Sequence, residues 1–206
     1  MQIYLRFFCV NQKKVVSLRV FWKILYVMIK EIPDFPKPGI RFLEITPFLL
    51  NPDEVREAIS AFCEQIKPLT AEGQVLIIGP DARGFIFSSM VAYELHQPLF
   101  MLRKAGKLPN DGTQVTFKAA KEYGASEFAV NVADLEALKA SGCTNAVIVD
   151  DILATGFTNL TIAQFFTEHG FKVHQVLNLI EINGLGGRDV IEKGGFPVYS
   201  FIKHDE

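Results

Sequence analysis

Ala146-Val147-Ile148-Val149-Asp150-Asp151-Ile152-Leu153-Ala154-Thr155-Gly156-Phe157-Thr158 is the stretch on which the reading of this 206-residue chain turns. Residues 146–149 are apolar and three of them are β-branched, which predicts a buried strand. Asp150 and Asp151 stand where that strand should end. A loop of small residues follows, Ala154-Thr155-Gly156, and Thr158 opens a helical pattern. In an open parallel sheet, ligands bind beyond the carboxyl ends of the strands. A helix amino terminus at that place offers unpaired N–H groups and the positive end of a dipole, which suits a phosphate. Two aspartates cannot help a phosphate by charge. They accept hydrogen bonds from a pair of sugar hydroxyls, or hold the water around Mg²⁺. The stretch asks for a ligand with a phosphate at one end and a diol beside it.

Two other phosphate-site patterns fit less well. A P-loop needs Gly-x-x-x-x-Gly-Lys-Ser/Thr spacing, which is absent. A receiver domain carries its acid pair near its first strand, and these acids come late. A strand ending in acids and a turn also occurs in α/β proteins that bind nothing there. The chain has the length of one ordinary domain with a sizeable core, with 49% hydrophobic and 21% charged residues. Its net charge of −2 gives no global basic field to attract nucleic acid. Six of the 21 basic residues lie in residues 1–30 with no acid among them, so the remainder is distinctly acidic. Cys9, Cys63 and Cys143 are scattered without CxxC spacing, which predicts neither a disulfide framework nor a zinc site and suits a reducing cytoplasm. The longest apolar run of the amino-terminal segment, Ile24 to Ile29, is far too short to span a membrane, and no secretory cleavage pattern follows. The segment is basic enough for a membrane-surface helix or a transit peptide, but it is poor in Ser and has no clean apolar stripe.

As written, VIVDDILATGFT resembles the phosphoribosyl pyrophosphate (PRPP) motif of the type I phosphoribosyltransferases, and ILATG resembles their adenine-specific branch. The resemblance implies an α/β fold with a mostly parallel central sheet flanked by helices, a small hood and a mobile flap. It covers about residues 28–206. MIKEIPDFPKPGI, from Met28, looks like a family amino terminus, so residues 1–27 read as an upstream extension and residues 28–206 as a single domain. Asp150 and Asp151 would hold the ribose of PRPP, and Ala154, Thr155, Gly156, Phe157 and Thr158 its 5′-phosphate. Phe157 stands where Gly is usual in this branch. It is tolerable if backbone N–H groups hold the phosphate and strained if the site needs a positive φ there; we expect the former.

Three further motifs agree in order and spacing. FPKPGIRFLEITP is too rich in Pro for a regular helix or central strand and reads as a stiff loop. Phe42, taken alone, reads as a core residue. By resemblance the loop is a hood over the base, with Phe42 stacked on the purine and the Arg41 backbone reading its edge. Leu43 and Glu44 depart from the family's frequent Arg and Asp. Gly79-Pro80-Asp81-Ala82-Arg83-Gly84-Phe85 follows a buried apolar run, Val75 to Ile78. An Arg in a loop is usually a solvated charge, but this wording resembles the family's pyrophosphate loop. It implies that Asp81, Ala82 and Arg83 meet the pyrophosphate and that the Asp81–Ala82 peptide is cis. Arg103-Lys104-Ala105-Gly106-Lys107 places three cations in five residues, read either as a solvated basic turn or as partners of a polyanion. The resemblance makes Arg103, Lys104 and Lys107 pyrophosphate contacts.

Residues 110–124 are polar and contain Gly112 and Gly124, which reads as a flap. Glu122 and Tyr123 resemble the flap's EYG signature, with Glu122 near the imidazole side of the purine as a proton-transfer or positioning group. Ile182, at the end of the Val173–Glu181 strand, would pack on the purine face opposite Phe42. Elsewhere the pattern predicts a helix from Asn51 to about Lys67, another from Phe85 to His96, a strand over Pro98–Leu102, a helix from Thr158 to His169 closed by Gly170, and a last strand over Phe196–Ile202. The implied reaction joins adenine and PRPP to give AMP and pyrophosphate, with Arg83 and Glu122 as catalytic groups. Mg²⁺ would be carried by PRPP, with no metal held directly by the protein. Family members are usually homodimers, so a homodimer is expected, with no nucleic-acid or membrane partner. Two alternatives are a transferase for hypoxanthine or xanthine and a PRPP-sensing regulator; the first would not share the hood wording, and the second usually adds a DNA-binding part.

Overall fold

The computed structural model describes residues 29–121 and 124–205. The chain falls into two compact units, one ending at Arg56 and the other beginning at Glu57. The readings for residues 1–27, Glu122 and Tyr123 lie outside the described residues.

In the first unit, β1 (Lys30–Pro33) and β2 (Arg41–Glu44) form a two-stranded antiparallel ladder. Its strands are edges, so Pro33 sits where a missing N–H is tolerated. The turn between them closes on Asp34, whose carboxylate accepts the Gly39 N–H at 2.7 Å. The Phe35–Pro36 bond within it is cis. One helical turn follows, α1 (Thr46–Leu49), and the Glu44 carboxylate accepts both the N–H and the hydroxyl of Thr46 at its start. α2 (Pro52–Thr70) begins as the sequence predicts. The Asn51 side chain accepts the N–H groups of Asp53 and Glu54 at 3.1 and 3.4 Å, and Pro52 needs no donor at the first helical position. Its buried stripe is Ala58, Ile59, Phe62, Cys63 and Ile66.

The second unit alternates strands and helices: β3 (Val75–Pro80), α3 (Gly84–Leu95), β4 (Leu99–Lys104), β5 (Gln114–Lys121), β6 (Gly124–Asn131), α4 (Val132–Ala140), β7 (Asn145–Leu153), α5 (Phe157–Glu168), β8 (Lys172–Ile182), α6 (Gly187–Lys193) and β9 (Val198–His204). The strands make one seven-stranded sheet in the order β5-β6-β4-β3-β7-β8-β9. From β4 to β9 the neighbours run parallel, and β6 runs antiparallel to both β4 and β5. Every position of β3 is buried, as expected of a central strand covered on both faces. On one face, Leu76, Ile78, Leu102, Ile148 and Val176 pack with Ile162 and Phe166 of α5. Each such side chain contributes about 1.5–3 kcal/mol, which keeps the sheet a rigid base for its loops.

The flap segment has regular structure of its own. From Gln114 onward, the polar segment is the first strand of a hairpin, β5 with β6. Val115, Phe117 and Ala119 alternate with Thr116 and Lys118, and Phe117 stacks on Phe165 with centroids 4.1 Å apart. The exposed Thr and Lys positions gave the segment its loop-like polarity. Parallel strands put the carboxyl ends of β3, β4, β7 and β8 on one edge. The segments after them, at residues 81–83, 105–107, 154–156 and 183–186, therefore share that edge.

Candidate active site

At the end of β7, Asp151 is almost fully buried and meets Arg83, with Nε 2.5 Å from Oδ2. This is a charge contact without hydrogen-bond alignment, so Oδ2 stays a buried acceptor without a hydrogen-bond partner. Asp150 accepts the Asp151 N–H on Oδ1 at 2.9 Å. Burial and then the adjoining Asp151 carboxylate push the Asp150 carboxyl well above the usual range, while Arg83 acts the other way. Gly84, the first residue of α3, makes this crowding possible. A Cβ there would lie 2.9 Å from Asp150 Oδ1 and 2.8 Å from Pro80 Cδ. The sequence placed Asp150, Asp151 and Arg83 in separate motifs, and the fold brings them together.

The loop after β7 leads into α5 through Gly156, which has φ 80° and serves as N-cap. No side chain caps the helix, so its first N–H groups have neither an intrahelical nor a side-chain partner. Phe157 is the first helical residue, half exposed, and not among the positive-φ positions. The strain foreseen as one option is therefore absent. Sequence reading missed Gly187, which opens α6. A Cβ on Gly156 would strike the Gly187 carbonyl, and one on Gly187 would strike the Ala154 carbonyl. The two backbones thus brace each other, and the Gly186-Gly187 pair was the only signal of it in the sequence.

At the end of β3 the Asp81–Ala82 bond is cis, as the resemblance implied. The Asp81 carboxylate is buried beneath two cations. Arg103 Nε lies 3.4 Å from Oδ2 and Lys107 Nζ 3.5 Å from Oδ1. Lys104 joins this group through its backbone, whose N–H donates to Oδ2 at 3.5 Å. The guanidinium of Arg103 also lies 6.0 Å from the centroid of the Phe85 ring.

Arg41 and Phe42 belong to the first unit. There Arg41 is exposed and pairs with Glu31 at 3.7 Å, and Phe42 packs edge-on to Phe35 with centroids 5.2 Å apart. Ile182 ends β8, half-buried. Beside it, Glu181 makes a bidentate pair with Arg188, at 2.9 and 2.5 Å, which the sequence did not reveal. Burial raises Glu181, but the hydrogen bonds and charge of Arg188, with Ser200 and Lys203 adding to them, together outweigh it and hold the carboxyl below its usual range. Behind the loop after β7, Asn159 of α5 donates to Asn178 of β8 at 3.1 Å, both side chains buried. Among the described residues, no group of three His, Cys, Asp or Glu side chains is placed to hold a metal, and no helix is long and apolar enough to cross a membrane.

Residues 49–187 match the family model of the phosphoribosyl transferase domain. Over 180 residues the chain is 38% identical to the adenine phosphoribosyltransferase of Synechococcus sp. strain CC9902, covering 86% of this chain and 95% of that one. The crystal structure of the adenine phosphoribosyltransferase from Thermoanaerobacter pseudethanolicus superposes with a TM-score of 0.72 at 33% identity, over 88% of this chain and 99% of that one. The Giardia lamblia enzyme, complexed with 9-deazaadenine, gives a TM-score of 0.74 at 28% identity, over 86% and 94%.

Proposed function

The chain belongs to the phosphoribosyl transferase family, and on that premise we propose that it is an adenine phosphoribosyltransferase of purine salvage, converting adenine and PRPP to AMP and pyrophosphate. One observation carries the reading: an acid pair, Asp151 buried and Asp150 half-buried, lies with Arg83 on Asp151, beside a helix whose first N–H groups no side chain caps. The carboxylates of Asp150 and Asp151 supply acceptors for a pair of ribose hydroxyls. The amides of Ala154 to Thr158 receive the 5′-phosphate. Arg83, Arg103, Lys104 and Lys107, with the backbone of Asp81 and Ala82, receive the pyrophosphate. By its hood wording the first unit offers Arg41 and Phe42 to the base, and Glu122 of the Glu122-Tyr123 signature transfers or positions its imidazole proton.

In the reaction the bond from the anomeric carbon to pyrophosphate breaks, its electron pair leaves with the pyrophosphate oxygen, and a base nitrogen attacks from the opposite face. The cations stabilise the charge that gathers on the leaving group. Mg²⁺ bound to PRPP would neutralise part of that charge, and Asp150 and Asp151 are the oxygen donors suited to its water shell. The free thiols of Cys63 and Cys143 are buried, and burial raises both above their usual range, which supports a home in the reducing cytoplasm. A homodimer through the exposed apolar side chains of α3 and β4 completes the proposal.

A turnover assay with PRPP, Mg²⁺ and each of adenine, hypoxanthine, guanine and xanthine tests it. Adenine should be consumed far faster than the others. Preference for another purine would move the chain to a different base, and PRPP binding without turnover of any base would favour the sensing regulator.

A further inference from the structure

We propose that Asp81 is a counter-anion built into the cation set, one that weakens the hold on pyrophosphate and so hastens its release. The inference rests on the pyrophosphate-site reading above and deepens it. The Asp81 side chain is only 3% exposed, while Arg103 and Lys107, at 35% and 54%, lie on its outer side. An anion arriving from solvent therefore meets the cations first and the carboxylate beneath them. Both cations are within 3.5 Å of that carboxylate, so part of their charge is already answered before a ligand arrives. The carboxylate cannot swing aside to give them up. Its backbone N–H is fixed on Leu102 O at 2.9 Å, and Oδ2 also accepts the Lys104 N–H.

Arg103 Nε is buried without an aligned hydrogen bond, so its attraction to Asp81 is one of charge, not of a directed bond. Such an arrangement holds the cations in place. The geometry suits a site that must bind pyrophosphate as a leaving group and then let it go. Arg103 and Lys107 without an inner anion would hold the product longer. The Asp81 carboxylate thus sets the balance between capture of PRPP and release of pyrophosphate, and it acts through Arg103 and Lys107 as a positioning residue.

Calorimetric titration of the full chain with inorganic pyrophosphate and Mg²⁺ tests this directly, alongside steady-state kinetics. Asp81→Asn, which keeps the size and removes the charge, should tighten pyrophosphate about tenfold. It should also lower both the KM for PRPP and kcat, and leave the KM for adenine unchanged. Lys107→Met removes an exposed group and should weaken pyrophosphate about tenfold, because the Asp81 charge is then uncovered. The double variant Asp81→Asn/Lys107→Met should return to near the wild-type affinity. Unchanged or weaker pyrophosphate binding in Asp81→Asn overturns the proposal, and so does a Lys107→Met chain that binds as the wild type does. Failure of the functional reading shows differently: a wild-type chain that neither binds pyrophosphate nor forms AMP removes the site itself.

Discussion

At Asp150, burial and the neighbouring Asp151 charge act in the same direction, and the Asp151 N–H and Arg83 oppose them without prevailing. The consequence for stability has a definite sign. A carboxyl raised in the folded state holds its proton more tightly there than in the unfolded chain. Its contribution is full below the unfolded value, about 3.9, and is lost as pH rises toward the raised folded value. Asp150→Asn should therefore raise Tm at pH 7, with a gain that shrinks as pH falls to 4; thermal melts across that range check it. Asp151 differs, because its Oδ2 is the buried acceptor next to Arg83. Asp151→Asn should raise the KM for PRPP by about tenfold or more while changing that for adenine little. Equal rises in both would remove the ribose role, and initial-rate kinetics with each substrate varied would show it.

Among the elements, α6 is held to the sheet by one polar clasp. Arg188 makes its two bonds to Glu181 of β8 and also donates to the Val198 carbonyl of β9 at 2.7 Å. Since α6 begins at Gly187, whose backbone braces Gly156, the clasp also supports the loop before α5. Arg188→Met should cost about 3 kcal/mol at pH 7 by leaving Glu181 buried and unpaired. The depressed Glu181 contributes stability above its unfolded value and loses it as pH falls, so the gap between wild type and variant should narrow below about pH 4. Urea unfolding at pH 7 and pH 3.5 measures both halves. This clasp was not legible in the sequence, because Glu181 and Arg188 are joined only by how β8 turns into α6. The central strands were legible, because Val75 to Ile78 and Ala146 to Val149 are apolar runs with no polar position to spare. That the flap segment holds a strand, β5, was not read although its alternation was present, since period two in a polar segment is a weaker signal than an unbroken apolar run. Of the candidate site, Asp150, Asp151 and the loop to Thr158 were picked out from strand-end position, and Arg83 from the wording of its loop. That Asp81 lies beneath Arg103 and Lys107 depends on two strands meeting side by side.

At the scale of the whole molecule, charge and apolar surface are unevenly spread. Cations gather at the carboxyl edge of the sheet in a chain that is otherwise acid-leaning. Apolar exposure gathers on α3 and β4. Met90 and Tyr93 are one turn apart on α3, and Leu99 and Met101 alternate on β4 with the buried Leu102 side of the strand. Tyr93 is 80% exposed, and with Met90, Leu99 and Met101 it adds an aromatic ring to the exposed apolar side chains of these two elements. These four side chains are the anchor of the proposed homodimer, with Tyr93 the natural centre of its binding energy. A stable dimer needs about 1,000 Å² or more buried in all, which asks for more than this patch and recruits its polar surroundings. Sedimentation at micromolar concentration should give twice the 23.1 kDa chain mass. Tyr93→Glu with Met101→Glu should shift the species to the single chain, because two charges would be buried against apolar partners. The Tm of the wild type should rise with protein concentration and that of the double variant should not. A wild type that sediments as one chain at every concentration tested would remove the dimer, and would leave Tyr93 an exposed ring with no partner to answer for it.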